Sequence, residues 1–350
     1  MIIAATATAV AYYRHFDGQL TRVHGVISDG GTSELKRADG SSAPLPAPAA
    51  NYLIVGTDSR TGANSQLPHT GGAACQCADT IILVHLPKGH AKAILVSIPR
   101  DSWVTIPAHV TSDGRHVPAE SAKANAALSF GGPALMVRTV EGLTGLHVDH
   151  YVQVQFAGFV DMVDAVHGID VCLSAPTRDP HTGIDLSAGV HHLDGAHALE
   201  YVRQRHGLPQ GDLDRIKRQQ AVIKQMVDKV LHAGVLLHPG QLTRFLDIVT
   251  RSVTVDDGLS FNDMRNLAET LSRLDRAHVQ FATTPVADEG GVRDGQSVVL
   301  LDQPAVDQMF NAVARGSLPE HQKAPGSGSS SPRASASPPT VARSGVTCLR

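Results

Sequence analysis

The sequence predicts an α/β fold in which helices cover both faces of a mixed central sheet, that is, an α-β-α sandwich. Apolar segments with a β-type pattern alternate along the chain with amphipathic helical stretches, an order typical of layered α/β domains. The chain has 350 residues, of which 42% are hydrophobic and 18% charged, so it can bury a large core.

The predicted strands are short apolar runs, several of them apolar on both faces as buried strands are. In chain order they are 52–56, 80–85, 93–98, 151–155, 169–173 and 279–283. The predicted helices have apolar residues at helical spacing. They are 133–143, 156–166, 195–202, 212–232, 240–249, 261–274 and 303–314. We therefore expect one globular domain over 51–315.

The two ends of the chain differ from this domain in composition. Residues 1–13 are apolar and end in two tyrosines before Arg14, as a membrane-interface segment does. They are shorter than the roughly 20 apolar residues of a span and lack the basic start of a signal peptide. We expect the outer half of a signal anchor whose cytoplasmic end is missing here; the alternative is a soluble N-terminal strand or helix. Residues 14–50 read as a polar stalk, and 316–350 as a disordered tail that can be deleted without loss.

The charge of the chain argues against a nucleic-acid partner. The formal net charge is -3 and the pI is about 6.7, so there is no global basic field. Lys and Arg do not cluster in a run, and neither helix-turn-helix nor zinc-finger spacing occurs.

The four cysteines are too few for a disulfide scaffold and lack the spacing of a zinc site. Cys75 and Cys77, with two histidines nearby, are a weak candidate for metal binding. If the chain is exported, we expect a bridge from one of this pair to Cys172, because export exposes thiols to an oxidising compartment. Cys348 lies in the predicted tail and is expected to be unpaired.

The most informative block lies at 201–220, where guanidinium and amide groups stand beside carboxylates. Arg203 and Arg205 point the same way only if the backbone from 202 to 206 is extended. Asp212, Arg215 and Gln219 recur at helical spacing and share one face of the next helix. Arginine is a planar, permanently charged donor, so several together can hold a pyrophosphate. The structural alternative is a salt-bridged, solvated helix face with Asp212 as N-cap.

Further polar residues stand where predicted strands end or helices begin. They are Asp58 and Arg60 after the first strand, Asp79 before the second, Arg100 and Asp101 after the third, and Lys123 and Asn125 ahead of a helix. Ligands of open α/β sheets bind at strand ends, so this placement favours a site. Each carboxylate has a structural alternative as a turn or cap residue.

Two of these carboxylates suit a magnesium ion. Magnesium keeps octahedral oxygen coordination and rarely takes a full protein cage, so Asp58 and Asp79 could hold Mg²⁺ jointly with substrate. The 19 histidines are scattered and show no zinc-ligand pattern, so we expect most of them to be ordinary surface or core residues.

Several motifs together resemble the LytR-CpsA-Psr family, whose order and spacing they share over about 51–231. They are the segments 52–60, 79–84, 96–101, 123–127, 201–205 and 212–220. Members of this family are membrane-anchored, extracytoplasmic phosphotransferases that move a glycopolymer from a polyprenyl pyrophosphate carrier to the cell wall. The resemblance implies the same activity, with Mg²⁺, a polyprenyl-pyrophosphate-linked glycopolymer and peptidoglycan as cofactor and partners.

The resemblance also implies roles for individual residues. It assigns Asp58 and Asp79 to the magnesium and pyrophosphate region, Arg100, Arg203 and Arg205 to the pyrophosphate, and Arg215, Gln219 and Asp212 to the rest of the pocket, with Arg60 ranked lower. One departure is Cys77, which stands where many members carry an arginine, so the phosphate contact of that loop is in doubt. The Cys-x-Cys pattern is similar to that of actinobacterial members.

The mechanism implied is transfer by positioning and charge neutralisation. A wall-sugar hydroxyl would attack the sugar-proximal phosphorus, with Asp58 or Asp101 orienting or deprotonating it. Asp101 has a structural alternative, namely pairing with a neighbouring arginine to fix its loop. Apolar residues of the strands and of 156–166 would line a tunnel for the lipid, although the sequence does not distinguish them from ordinary core.

Two other functions use the same residues. A pyrophosphatase would hydrolyse the lipid carrier with water as the nucleophile. A non-catalytic lipid-carrier binding module or a regulator of transcription is the third hypothesis. The near-neutral charge and the lack of a DNA-binding motif argue against the regulator, and the candidate metal carboxylates argue against pure binding.

Overall fold

The computed structural model describes residues 12–27, 49–58, 77–89, 92–111, 113–232, 239–272, 274, 278–319 and 348–349. The strands are β1 (Thr21–Val23), β2 (Ala50–Thr57), β3 (Ala78–Leu86), β4 (Ala93–Ser97), β5 (Trp103–Ile106), β6 (His109–Val110), β7 (His116–Val117), β8 (Glu120–Lys123), β9 (His150–Gln155), β10 (Ile169–Leu173), β11 (Thr177–Asp179), β12 (Ile184–Leu186), β13 (Gly189–Leu193), β14 (Val253–Asp256), β15 (Val279–Thr283), β16 (Val286–Arg293), β17 (Gln296–Leu301) and β18 (Cys348–Leu349). The helices are α1 (12–17), α2 (Ala126–Thr144), α3 (Phe156–Ala165), α4 (Gly195–Arg203), α5 (Gly211–His232), α6 (Pro239–Ser252), α7 (Phe261–Ser272) and α8 (Gln303–Ala314).

A seven-stranded sheet forms the centre of the fold, in the order β1-β14-β9-β2-β3-β4-β15. Three neighbouring pairs are parallel, β1 with β14, β9 with β2, and β4 with β15. The other pairs are antiparallel. The sheet is therefore mixed, and the predicted α-β-α class is confirmed.

Alternation along the central strands divides the core into two layers. Leu53 and Val55 of β2 pack on one face, together with residues of α2 and α8. Tyr52 and Ile54 point to the other face, which is covered by α1, α6 and α7. Successive side chains of a strand point to opposite faces, so a strand that is apolar at every position is buried on both.

Helix α2 begins earlier than the sequence predicts, because a kink joins two helical pieces. Gly132, with φ 70°, and the following Pro133 interrupt the helix, and the predicted start at 133 corresponds to its second piece. Gly145 ends α2 in the left-handed conformation, with φ 67° and its N–H bonded to the carbonyl oxygen of Glu141. Glycine adopts this conformation without steric cost, which explains the helix end.

The N-terminal region of the domain contradicts the predicted stalk over its first residues. Strand β1 adds an edge to the central sheet, and Phe16 and Leu20 are buried. Phe16 stacks on Phe261, and Tyr12 and Tyr13 also contact that ring. The sequence missed β1 because a three-residue strand carries too little pattern. Residues 1–11 of the predicted anchor and 28–48 of the predicted stalk lie outside the described residues. Within the described part of the chain, no helix is long and apolar enough to cross a membrane.

The end of the chain contradicts the prediction that Cys348 is unpaired. Cys348 forms a disulfide with Cys172, and β18 pairs in parallel with β10 in a second sheet of order β13-β10-β18. The predicted bridge from Cys75 or Cys77 to Cys172 is therefore wrong, and Cys77 is itself disulfide-bonded. Leu318, just after the predicted start of the tail, is buried. Most of the predicted tail, 320–347, lies outside the described residues.

Because Cys172 and Cys348 are separated by 176 positions, their bridge restricts a very long loop of the unfolded chain. We expect Cys348→Ser to lower the free energy of unfolding by about 2–4 kcal/mol under non-reducing conditions. Urea denaturation measures this difference. Treatment of both proteins with dithiothreitol is the control, and it should remove the difference in stability between them. Equal denaturation midpoints for oxidised parent and variant would show that the bridge does not stabilise the fold.

Candidate functional site

Two arginines of the predicted site lie where α4 ends. Arg203 is the last residue of α4, and Gln204 has an extended backbone with φ −57° and ψ 134°. Gln204 is completely buried; its side chain accepts hydrogen bonds from Thr177 and Arg218. The predicted extended backbone over 202–206 is wrong in part, because residues 202 and 203 belong to α4 and His206 lies in a turn. Arg203 and Arg205 bind different carboxylates, those of Asp58 and Asp101.

Two carboxylates at the ends of β2 and β3 hold arginines from elsewhere in the fold. Asp58 Oδ2 accepts a hydrogen bond of 3.0 Å from Arg203 Nη2. Asp79 Oδ1 accepts one from Arg100 Nη1. Thr57 pairs with Ala78 across the two strands, so Asp58 and Asp79 stand at the same end of the strand pair.

Asp101 lies among three cations. Its carboxylate oxygens are 3.1 Å from Arg205 Nη2, 3.3 Å from Lys123 Nζ and 3.7 Å from Arg100 Nε. Burial raises the pKa of Asp101, but Arg100, Lys123 and Arg205 together hold it below its ordinary value. These are the ion pairs that the structural alternative for Asp101 requires, and they join the loop after β4 to β8 and to the turn after α4.

Helix α5 contributes a buried arginine to the same cluster. Arg215 Nη2 lies 2.5 Å from Asp212 Oδ1, which is also 3.6 Å from Arg205 Nε. Only 4% of the Arg215 side chain is exposed. The pKa of Arg215 is lowered to about 10, chiefly by burial and also by Arg100 and Arg205, while Asp212 and Asp79 oppose the shift. Arg100 and the more exposed Arg205 therefore lie within electrostatic reach of Arg215, which is almost inaccessible to solvent.

The cluster contains buried donors that need an acceptor. Arg100 Nε and Arg215 Nε are inaccessible to solvent and have no hydrogen-bond partner among the residues that the structure describes. A buried N–H without a partner is unfavourable, and more so on a charged group. An anion with several oxygens, such as a phosphate, would satisfy both donors and relieve the repulsion between the arginines.

An apolar cavity of about 350 Å³ adjoins this cluster. Its walls come from the sheet and from helices α3, α4, α5 and α7. Thr80 at its rim follows Asp79, and the Phe156 ring of its wall lies 5.1 Å from the Arg203 guanidinium carbon. Of the apolar residues of 156–166, Phe156, Phe159 and Met162 line this cavity, whereas Val163 packs in the core.

The remaining predicted site residues take different positions. Gln219 lines the cavity and contacts the carbonyl oxygen of Val202. Asn125 precedes α2 and contributes backbone bonds to Arg100 and Ala78, but its side chain caps nothing. Arg60 lies outside the described residues.

Some residues that support the cluster without belonging to it were not predicted from the sequence. The sequence pattern assigns no role to Gln220. Its side-chain amide donates hydrogen bonds to Ser97, Thr283 and the carbonyl oxygen of Ala282 and so fixes α5 to the sheet. Its position beside Gln219 in the arginine block was the available signal. Asp179, His181 and His206 also come together, although the histidines are 25 positions apart and form no recognisable motif.

The fold and the site together define an α/β domain with a cluster of arginines and carboxylates beside an apolar cavity. The model of the LytR_cpsA_psr family matches residues 24–315. The chain belongs to this family, and the recognition of it from the sequence is confirmed.

Similar proteins come from several bacteria. The chain is 35% identical to the cell wall biosynthesis protein LcpA of Corynebacterium glutamicum over 83% of its own length and 60% of that protein. It is 34% identical to the polyisoprenyl-teichoic acid--peptidoglycan teichoic acid transferase TagU of Enterococcus faecalis, over 55% of this chain and 58% of the relative. The crystal structure of protein gbs0355 from Streptococcus agalactiae superposes with a TM-score of 0.62 at 26% identity, covering 77% of this chain and 87% of the other. The chain thus spans about 60% of the length of these two relatives.

The ion pairs of Asp101 should make its contribution to stability depend on pH. Its pKa is lowered in the folded state, so the unfolded chain takes up the proton first as pH falls. We expect Asp101→Asn to be about 3–5 kcal/mol less stable than the parent near neutral pH, because it removes the one carboxylate that Arg100, Lys123 and Arg205 share in a largely buried position. This difference should shrink as pH falls below about 4, the ordinary pKa of aspartate.

Urea denaturation at a series of pH values measures this difference. The exposed carboxylate of Asp185 on β12 provides the control variant Asp185→Asn. A difference between parent and Asp101→Asn that stays constant down to pH about 2 would contradict the assigned ion pairs.

Proposed function

We propose that this protein is a phosphotransferase that moves a glycopolymer from a polyprenyl-pyrophosphate carrier to a hydroxyl of peptidoglycan. The observation that carries the proposal is the apolar cavity next to buried, unsatisfied arginine donors. A ligand that fills both must join a hydrocarbon chain to a polyanionic group. Family membership and the similarity to TagU, named as a polyisoprenyl-teichoic acid--peptidoglycan teichoic acid transferase, support the same substrate class.

The lipid part of the donor would occupy the cavity. Its volume of about 350 Å³ lies within the usual range for small-molecule sites, and its lining is almost wholly apolar. Burial of a polyprenyl chain there would be favourable, since apolar area removed from water contributes about 25 cal/mol per Å². The rim at Thr80 and Phe156 would then place the pyrophosphate beside Arg203 and Asp79.

The arginines would hold the pyrophosphate in place of their present carboxylate partners or together with them. Arg100 Nε and Arg215 Nε supply buried donors. Arg203 and Arg205 supply two further guanidinium groups from the end of α4. Such preorganised positive charge stabilises the negative charge that develops on phosphate oxygens during transfer.

A magnesium ion fits the carboxylate end of this site. Asp58 and Asp79 stand at the same end of the β2–β3 pair and offer carboxylate oxygens, the ligands that Mg²⁺ prefers. Asp79 engages Arg100 through Oδ1, which leaves Oδ2 for a second partner. Bound there, Mg²⁺ would neutralise part of the charge on the pyrophosphate.

In the proposed reaction a wall-sugar hydroxyl attacks the sugar-proximal phosphorus. A new phosphorus–oxygen bond forms to the acceptor, and the bond to the bridging oxygen breaks, so that polyprenyl phosphate leaves. Asp101 is a poor base for the hydroxyl proton because three cations lower its pKa. Asp58 is therefore the carboxylate proposed to orient the hydroxyl and accept its proton.

The same proposal places the protein outside the cytoplasm, attached to the membrane by its apolar N-terminal segment. The Cys172–Cys348 disulfide supports this location, because disulfides persist in oxidising compartments and are rare in the cytosol.

Incubation with a polyprenyl-pyrophosphate-linked saccharide, Mg²⁺ and peptidoglycan fragments, followed by mass analysis, tests the proposal. A saccharide phosphate joined to peptidoglycan is the expected product. Free saccharide phosphate as the only product would instead identify a hydrolase, and unchanged donor would identify a binding protein.

Replacement of the paired arginines should reduce transfer without unfolding the domain. A hydrogen bond to a charged group contributes about 1.5–3 kcal/mol, so Arg203→Ala and Arg205→Ala should each lose roughly ten- to a hundredfold in turnover. Arg178→Ala removes an exposed arginine from the neighbouring β11 and is the matched control. Near-normal turnover in both site variants, with unchanged melting, would rule out their role as pyrophosphate ligands.

The two carboxylates Asp79 and Asp101 should respond differently to substitution. Asp79→Asn should raise the Mg²⁺ concentration needed for half-maximal turnover more than Asp101→Asn does, because only Asp79 is proposed as a metal ligand. Melting temperatures should show the opposite order, since Asp101 holds three cations. Titration of turnover with Mg²⁺ and thermal melts measure the two effects. Activity that survives chelation in the parent protein would exclude an essential magnesium ion.

A further inference from the structure

A carboxylate and two histidines meet beside the backbone of Arg205. None of the three residues belongs to the segments that carry Asp58 and Asp79. Asp179 ends β11, His181 lies in the turn to β12, and His206 follows Arg205 directly. The turn at His181 is closed by the N–H groups of Thr182 and Gly183, which donate to the carbonyl oxygen of Asp179.

The carboxylate of Asp179 is fixed by backbone donors beneath the two imidazoles. Its Oδ1 accepts from the N–H of His181 at 2.9 Å, and its Oδ2 from the N–H groups of Arg205 and His206 at 3.4 and 3.3 Å. Asp179 has no exposed surface, whereas both histidines are exposed. Burial raises the pKa of Asp179, but these backbone donors and His206 hold it below its ordinary value, so the group stays ionised as a ligand must.

The imidazoles converge on this carboxylate. The ring centroids of His181 and His206 are 4.3 Å apart, and His206 Nδ1 lies 3.4 Å from Asp179 Oδ2. One ligand atom from each of the three residues lies within 4.8 Å of the others. The backbone hydrogen bonds explain why Asp179 is buried at a turn. They do not explain why two imidazoles from separate segments lie side by side next to its carboxylate.

We propose that Asp179, His181 and His206 bind one divalent transition-metal ion of the zinc class. Imidazole nitrogen and carboxylate oxygen are its usual ligands, and three protein ligands with an open, solvent-facing position form a typical coordination set. Magnesium is a poor candidate because it prefers oxygen ligands alone. The ion would join the β11–β12 turn to the backbone that carries Arg205, so its role is to hold that arginine's segment in place.

Metal analysis with Zn²⁺ alone tests the site on the whole chain. The protein is first treated with a chelator, then dialysed against micromolar ZnCl₂, and its zinc content and melting temperature are measured. We expect zinc to be retained and to raise the melting temperature, since an ion that binds only the folded state stabilises it.

Three variants separate this site from other zinc-binding histidines. His181→Ala and His206→Ala each remove one proposed ligand from an exposed position and leave Asp179 and its backbone bonds intact. His192→Ala is the matched control, because His192 is also an exposed histidine bonded to a carboxylate, that of Asp170, outside the proposed site. Substitution of a residue that only supports a metal ligand weakens metal binding by roughly 10–100-fold, so removal of a ligand itself should weaken zinc binding at least as much.

The expected result is that both site variants lose the bound ion and the rise in melting temperature, whereas His192→Ala keeps both. If His181→Ala and His206→Ala bind zinc as tightly as His192→Ala, or if the parent protein retains no zinc, the three residues do not form a metal site.

Discussion

Repulsion around the buried guanidinium of Arg215 is the constraint around which this domain is arranged. Arg100 and Arg205 come from other parts of the chain, yet both lie close enough to Arg215 to lower its pKa. Charges of one sign are stable in the interior only if carboxylates compensate them. Asp79, Asp101 and Asp212 do so, and each is delivered by a separate strand, loop or helix. The sheet, the turn after α4 and the start of α5 therefore have to keep their relative positions.

The parts of the fold that were predictable are those whose sequence pattern is long enough to be distinctive. The strand at 279–283 and the helix at 303–314 have the predicted bounds, because each is a full apolar or amphipathic run between turn residues. Short strands such as β1, β11 and β12 were missed, since two or three residues cannot show a period. The pairing of Cys172 with Cys348 could not be predicted from the sequence either, because the strand that brings Cys348 to Cys172 has only two residues.

For the site, spacing was informative where one element carries several groups. Asp212 and Arg215, three apart on α5, could be predicted to share a helix face, and the structure joins them in an ion pair. Arg203 and Arg205 were predicted to converge in extended backbone, but Arg203 still belongs to α4. Contacts between distant segments could not be predicted in this way. Lys123 meets Asp101 through the pairing of β5 with β8, and His181 meets His206 only because the β11–β12 turn folds over the end of α4.

The bond between Cys172 and Cys348 turns the C-terminal half of the protein into a covalent ring. The arginines after α4 and on α5 belong to that ring, whereas the carboxylates at the ends of β2 and β3 belong to the open N-terminal part. A single peptide-bond cleavage inside the ring therefore releases no fragment, and both pieces stay at high local concentration. A cleavage between Asp101 and Cys172, by contrast, leaves no covalent link between the two halves of the arginine and carboxylate cluster. Damage by proteases thus has unequal consequences on the two sides of one disulfide.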